Sequence, residues 1–82
     1  MELFMSKVEK LINLMFSDGQ ISYNDAEKVL LFLGFQLEVS SSHHIFRKMG
    51  YNKNISIKKR PILLHYQIKV LREVLLNHGY EK

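Results

Sequence analysis

The sequence predicts an α+β fold, a two-layer sandwich in which helices cover one face of a three-stranded antiparallel sheet. Three stretches repeat apolar residues at helical spacing, and between the second and third of them three short segments alternate apolar and polar residues. An isolated three-stranded sheet would expose its apolar side, so the helices must cover that face while the other stays open to solvent. The predicted order of elements is α-α-β-β-β-α.

Length and composition limit what the chain can be. Its 82 residues predict a single domain over residues 1–82, and 46% hydrophobic with 24% charged residues is typical of a globular chain. The longest apolar run, Val29 to Leu33, is far shorter than the ~20 residues that cross a bilayer, so no membrane association is expected. The absence of cysteine excludes disulfides and thiolate metal sites, and no signal-peptide pattern is present, which favours a cytoplasmic location.

Two helices are predicted before the sheet. The first, at about residues 6–17, begins with Ser6 as N-cap and Glu9 three residues later, the pattern of a capping box. The second begins at Ser22, whose hydroxyl can accept a hydrogen bond from the backbone three residues on, and Gly34 ends it. Both helices carry an apolar stripe, formed by Val8, Leu11, Ile12 and Met15 in the first and by Ala26, Val29, Leu30 and Leu33 in the second.

Three strands and a last helix follow. The predicted strands are residues 35–39, a second strand from His43 and residues 54–58, with the serines at 40–42 forming a tight turn between the first two. Pro61 suits the exit from the sheet because it cannot donate to a ladder. The last helix is predicted at about 64–77, ended by Gly79. Its predicted buried stripe is Leu64, Ile68, Leu71, Val74 and Leu75.

The alternation of the second strand separates its two histidines. If Phe46 faces the core, His44 and Lys48 lie on the same side, whereas His43 and Arg47 lie on the open face. An exposed imidazole can act as an acid or a base near neutral pH, although a solvated strand residue without a role remains an alternative. We interpret His44 as a residue at the edge of the core. Since adjacent strand residues point to opposite faces, no joint metal site is expected.

The charge is divided unevenly along the chain. Residues 1–42 carry three cations and six carboxylates, a net charge of −3, while residues 43–82 carry nine cations and two carboxylates, a net charge of +7. No acidic residue lies between Glu38 and Glu73. Such a segment is typical of a surface that faces phosphates, so a polyanionic partner is expected, with a basic solvated face that has no partner as the alternative.

Several short motifs together resemble the HicA family of bacterial toxins. Without the first helix the order is α-β-β-β-α, that of double-stranded RNA-binding domains, although topology alone does not give function. The residues that carry the resemblance span about 22–80. They are Leu33-Gly34-Phe35, the run Ser41-Ser42-His43-His44-Ile45-Phe46-Arg47, the Ile55-Ser56-Ile57 strand, the basic connector from Lys58, and Tyr66-Gln67-Ile68-Lys69-Val70-Leu71 with His78-Gly79-Tyr80. The first helix is similar to an extra N-terminal helix of longer members.

The resemblance implies the toxin of a type II toxin-antitoxin module, an endoribonuclease that cuts mRNA without a metal or a small-molecule cofactor and is neutralised by a HicB-type antitoxin. The family's catalytic histidine falls on His43. We expect the RNA to contact hydroxyl and cationic side chains around it. The predicted contacts are Ser42, Arg47, Lys48, Lys58, Lys59, Arg60, Lys69 and Arg72.

One position departs from the family pattern. Ser41 stands where the family usually has glycine, and a positive φ at that turn would strain a serine. The alternative function is therefore a module of the same fold that binds RNA or an antitoxin without catalysis.

Overall fold

The computed structural model describes residues 7–17, 19–41 and 43–80, and within them it confirms the α+β class and the predicted order of elements. The first layer contains the helices and the second contains the sheet. The elements are α1 (Lys7–Phe16), α2 (Tyr23–Phe32), β1 (Gln36–Ser40), β2 (His43–Arg47), β3 (Ile55–Ile57) and α3 (His65–Asn77). Among the described residues, no helix is long and apolar enough to cross a membrane.

The sheet is antiparallel with the strands in the order β1-β2-β3. Ser40 pairs with His43, so only two residues connect β1 to β2. Phe46, near the end of β2, lies opposite Leu37 on one side and Ile55 on the other. Because paired residues of an antiparallel sheet face the same side, these three side chains lie on one face, while Ile45 and its partners lie on the other.

The helices bury the face that carries Phe46. Phe46 is fully buried, and Ile55 and Ile57 of β3 are buried with it, whereas His43 and Arg47 are exposed on the opposite face. The predicted parity of β2 is therefore confirmed. The core is completed by helical and connecting residues, namely Ile12, Met15, Phe16, Ile21, Tyr23, Ala26, Val29, Leu30, Phe35, Leu63, Ile68, Leu71, Val74 and Leu75.

The ends of α2 follow the sequence signals. Ser22 Oγ accepts the Asp25 backbone N–H at 3.1 Å, and the Asp25 carboxylate accepts the Ser22 N–H at 3.3 Å, which forms a capping box. Gly34, with φ of +99°, ends the helix in the left-handed conformation that favours glycine. The cap predicted at Ser6 for α1 lies outside the described residues.

The sequence predicts that Leu64, in the apolar stripe of the last helix, and Val39, on the apolar face of the alternating first strand, are covered; both predictions are wrong, and both residues lie at the ends of elements. Leu64 is 39% exposed, and Gln67 is buried in the first turn of α3 instead. The Gln67 Oε1 accepts the Leu64 N–H at 2.8 Å, so the buried amide oxygen is satisfied by the start of its own helix. Val39, near the end of β1, is 57% exposed, because the helical layer does not cover the end of this strand.

Candidate functional site

A cleft of about 250 Å³ opens beside His43. It is built from three regions of the chain: the start of β2, the end of β3 with its connector, and the first turn of α3. Its lining residues are His43, Ser56, Ile57, Lys58, Tyr66 and Gln67. The imidazole of His43 is exposed on the open face of the sheet, as the sequence predicts.

Strand pairing explains why a lysine lies next to His43. Ile45 pairs with Ser56 and His44 pairs with Ile57, the last residue of β3, and Lys58 follows directly and lines the same cleft as His43. Residues that are opposite each other in an antiparallel sheet have their Cβ atoms about 5 Å apart and share a face. The cleft therefore combines an imidazole, a cation and the hydroxyl of Ser56.

The third wall of the cleft comes from α3. Tyr66 is 64% exposed at the rim, while Gln67 is buried and held by its hydrogen bond to Leu64. The first turn of α3 contains no acidic residue, so the positive end of its helix dipole is not offset by a carboxylate of that turn. Sequence reasoning assigned no site role to Tyr66 or Gln67, since only tertiary packing brings this turn to the start of β2.

Arg47, predicted to contact RNA, lies on the same open face but forms an ion pair. Its Nε is 2.9 Å from the Glu38 Oε1 of the neighbouring strand, and both side chains are more than half exposed. Glu38 pairs with Ile45, so it lies diagonally across from Arg47. The open face is consequently less basic than the run of cations in the sequence suggests.

Two of the predicted RNA contacts bind the ends of helices. Lys48 Nζ donates to the Leu33 carbonyl oxygen at 2.7 Å, and Arg72 Nε donates to the Met15 carbonyl oxygen at 2.5 Å. Both cations are half-buried. They satisfy carbonyl groups at the C-terminal ends of α2 and α1, a position that favours positive charge. Neither cation lines the cleft beside His43.

The remaining predicted cations lie in two other places. Lys59 and Arg60 line a cleft of about 210 Å³ at the start of α2, where the Lys59 Nζ is 5.9 Å from the centre of the Tyr23 ring. Arg60 is half-buried and its Nε has no hydrogen-bond partner among the described residues. Lys69 is exposed on α3, in a groove that also contains Tyr66. Ser42 lies outside the described residues.

His44 lies at the edge of the core, as the sequence predicts. Its ring is 4.9 Å from the Tyr23 ring in an edge-on arrangement, and its Nδ1 is buried without a hydrogen-bond partner among the described residues. Tyr23 is 2% exposed. Burial, together with the nearby Glu27 carboxylate, raises the pKa of Tyr23 to about 12. The two rings therefore form an aromatic contact at the edge of the core, on the opposite side of the sheet from His43.

Three comparisons with known proteins found no match. No protein-family model, no curated protein and no solved structure matches the chain. Within the described ranges, no group of three or more histidine, cysteine, aspartate or glutamate residues is arranged to hold a metal ion.

Proposed function

We propose that the chain is a HicA-type toxin of a type II toxin-antitoxin module, a metal-independent endoribonuclease that cleaves mRNA in the cytoplasm with His43 as its catalytic base. The observation that carries this proposal is the exposed imidazole in a cleft with Lys58, Ser56 and Tyr66. The α-β-β-β-α order of the elements after α1 and the motif residues around His43 support it.

The proposed attack by a 2′-hydroxyl would use the imidazole and the ammonium group that line the cleft. Neutral His43 would take the proton of a ribose 2′-hydroxyl, whose oxygen then forms a bond to the adjacent phosphorus. The bond from phosphorus to the 5′-oxygen breaks, which leaves a 2′,3′-cyclic phosphate and a 5′-hydroxyl that takes its proton from water or from Lys58. The ammonium of Lys58 would stabilise the additional negative charge on the phosphoryl oxygens in the transition state.

A HicB-type antitoxin is the proposed protein partner. An inhibitor that covers the cleft has to match a surface on which Lys58 and Lys69 are exposed, so we expect it to present carboxylates there. The same surface would receive the mRNA, and the two partners would therefore compete.

Two observations favour the alternative, a module of the same fold without catalysis. Ser41 has φ of 56°, so the turn before His43 is in the left-handed region where the family usually has glycine. In addition, Glu38 neutralises Arg47, one of the cations predicted to hold the phosphates.

Cleavage of a labelled single-stranded RNA in the presence of EDTA tests the proposal. We expect the unmodified chain to give products with a 2′,3′-cyclic phosphate, and His43→Ala to lose cleavage by at least about a hundredfold, the usual contribution of general base catalysis. His65→Ala is the matched control, since His65 is also exposed but does not line the cleft. Its cleavage rate should be unchanged.

Binding of the same RNA has to be followed in parallel. Binding without cleavage by the unmodified chain, across several RNA sequences, would support the non-catalytic module and reject the enzyme. Equal cleavage by the unmodified chain and His43→Ala would place the activity elsewhere.

A further inference from the structure

We infer that Tyr66 is a stacking platform for an unpaired nucleobase, next to the phosphate that would lie at His43. The inference rests on the proposed function for its ligand class, RNA, and adds to it the form of that RNA: a single strand whose base contacts the phenol ring.

The exposure of Tyr66 is the first observation. Its side chain is 64% exposed in the wall of the cleft that contains His43, and it is the one tyrosine, phenylalanine or tryptophan among the residues that line this cleft. An exposed aromatic ring beside a cationic groove is the arrangement with which proteins bind single-stranded nucleic acid, because each base has a face that can stack.

The backbone that carries the ring is also held in place. Tyr66 lies in the first turn of α3, between Leu64 and Gln67, whose side-chain and backbone hydrogen bonds close the start of the helix at 2.8 and 3.0 Å. The next two residues, Gln67 and Ile68, are buried in the core. A ring carried by such a turn binds a base with little loss of conformational freedom in the backbone.

Tyr66 lines two adjoining depressions, and each of them contains an exposed lysine; the carboxylate of Glu73 in the second is paired with Lys53. Lys58 lines the same cleft, and Lys69, three residues after Tyr66 and thus on the same side of α3, lines the adjoining groove that also includes Tyr66. A backbone that passes from Lys58 to Lys69 would cross the ring between two phosphate contacts.

This arrangement selects unpaired RNA. In a duplex both faces of a base are covered by its neighbours, so an aromatic side chain can stack only on a base that has left the helix. The cleft therefore points to single-stranded substrate, although the order of elements is that of a domain that binds duplexes.

Fluorescence anisotropy with a short single-stranded 2′-O-methyl RNA tests the inference, because the blocked 2′-oxygen cannot attack and binding is measured without cleavage. We expect Tyr66→Leu to weaken binding about tenfold, in the range found for loss of one stacked base. Tyr66→Phe, which keeps the ring and removes the hydroxyl, should bind within twofold of the unmodified chain. Phe32→Leu is the matched control, since Phe32 is 57% exposed on α2 and lies outside the cleft; it should bind normally.

An abasic oligonucleotide of the same length separates stacking from phosphate contacts. Tyr66→Leu should not change its affinity, because the backbone contacts of Lys58 and Lys69 remain. Equal losses on the abasic and base-bearing strands, equal losses for Tyr66→Phe and Tyr66→Leu, or no loss at all would each overturn the inference.

The outcome is independent of whether the protein cleaves RNA. Stacking that depends on Tyr66 in a chain without His43-dependent cleavage would reject the enzyme and keep the platform. Cleavage that depends on His43, with binding that is insensitive to Tyr66→Leu, would keep the enzyme and reject the platform.

Discussion

At the scale of single residues, Ser41 is the one non-glycine residue with a positive φ in the described part of the chain. Its φ of 56° lies in the left-handed region, which costs a residue with a Cβ roughly 1–2 kcal/mol. The turn is short because Ser40 pairs directly with His43, so the chain has only two residues in which to reverse. A hairpin of this length favours residues with positive φ.

We expect Ser41→Gly to stabilise the protein. The strain energy removed at this left-handed position is larger than the free-energy cost of the additional chain entropy that glycine loses on folding. The free energy of unfolding measured with urea should therefore rise by about 0.5–1 kcal/mol. Ser40→Gly is the control, since Ser40 is in β1 and should lose stability. A destabilised Ser41→Gly would show that the serine side chain stabilises this turn.

Tyr23 makes stability depend on pH in the alkaline range. The pKa of its hydroxyl is raised from 10.0 to about 12 by burial and by Glu27, so the folded state holds the phenol proton more tightly than the unfolded chain. The stabilisation of the folded state that comes from this proton is fully present below pH 10 and is lost as the pH rises from 10 to 12.

Tyr23→Phe should remove this dependence. Between pH 9 and pH 12 the unmodified chain should lose on the order of 1–2 kcal/mol more stability than Tyr23→Phe, as measured by chemical denaturation at each pH. The comparison cancels the lysines and the other tyrosines, which titrate in both proteins. Parallel curves for the two proteins would contradict the prediction.

At the scale of elements, the cations divide between helix ends and the cleft. The ammonium of Lys48 donates a hydrogen bond to the Leu33 carbonyl oxygen at the end of α2 and lies 5.7 Å from the centre of the Phe35 ring. Lys58 instead lines the cleft. We expect Lys48→Met to destabilise the fold by about 1 kcal/mol with little change in RNA affinity. Lys58→Met should do the reverse. Denaturation and RNA binding of both variants check this, and a large loss of affinity in Lys48→Met alone would contradict it.

The elements themselves could be predicted because their signals are local. The Ser22 capping box, the positive φ of Gly34 and the parity of β2 around Phe46 each follow from a few neighbouring residues. The ends of elements were less predictable. Gln67 is buried in place of Leu64 because its side-chain oxygen accepts the backbone N–H of Leu64 at the start of α3. The periodicity of apolar residues cannot predict a buried polar residue of this kind.

The site could be predicted only in part, because part of it is formed by tertiary packing that local sequence patterns do not show. His43 follows from the strand pattern, but Tyr66 reaches the cleft through the packing of α3 on the sheet. The hydrogen bonds of Lys48 and Arg72 to carbonyl groups at helix ends could not be predicted, because a sequence does not show which carbonyl groups lie within reach of a cation. The ion pair of Glu38 with Arg47 follows from the hairpin, because a two-residue turn fixes the register that makes them diagonal neighbours.

At the scale of the whole molecule, the salt dependence of RNA binding reports how many cations face phosphates. Of the seven predicted cationic contacts, three bind Glu38 or a backbone carbonyl. The other four are Lys58, Lys59, Arg60 and Lys69. Each contact with a phosphate of a single strand releases about 0.7 counterions. If these four cations contact phosphates, a plot of log Kobs against the logarithm of the salt concentration should have a slope of about −3. Contact by all seven would give about −5.

Glu38→Gln should release Arg47 for RNA. We expect tighter binding and a slope steeper by about 0.7, as for one additional phosphate contact. Glu9→Gln is the control, since Glu9 is exposed in the first turn of α1 and lines neither the cleft beside His43 nor the groove beside Tyr66. An unchanged slope in Glu38→Gln would show that Arg47 does not reach the RNA.

The strand order leaves the two edges of the sheet unequal. The outer edge of β3 is three residues long and is followed by Lys58, Lys59 and Pro61, which discourage another strand from pairing there. The outer edge of β1 is five residues long and carries the exposed side chain of Val39. Self-association at high concentration should therefore begin at β1, and Val39→Lys should keep concentrated samples monodisperse.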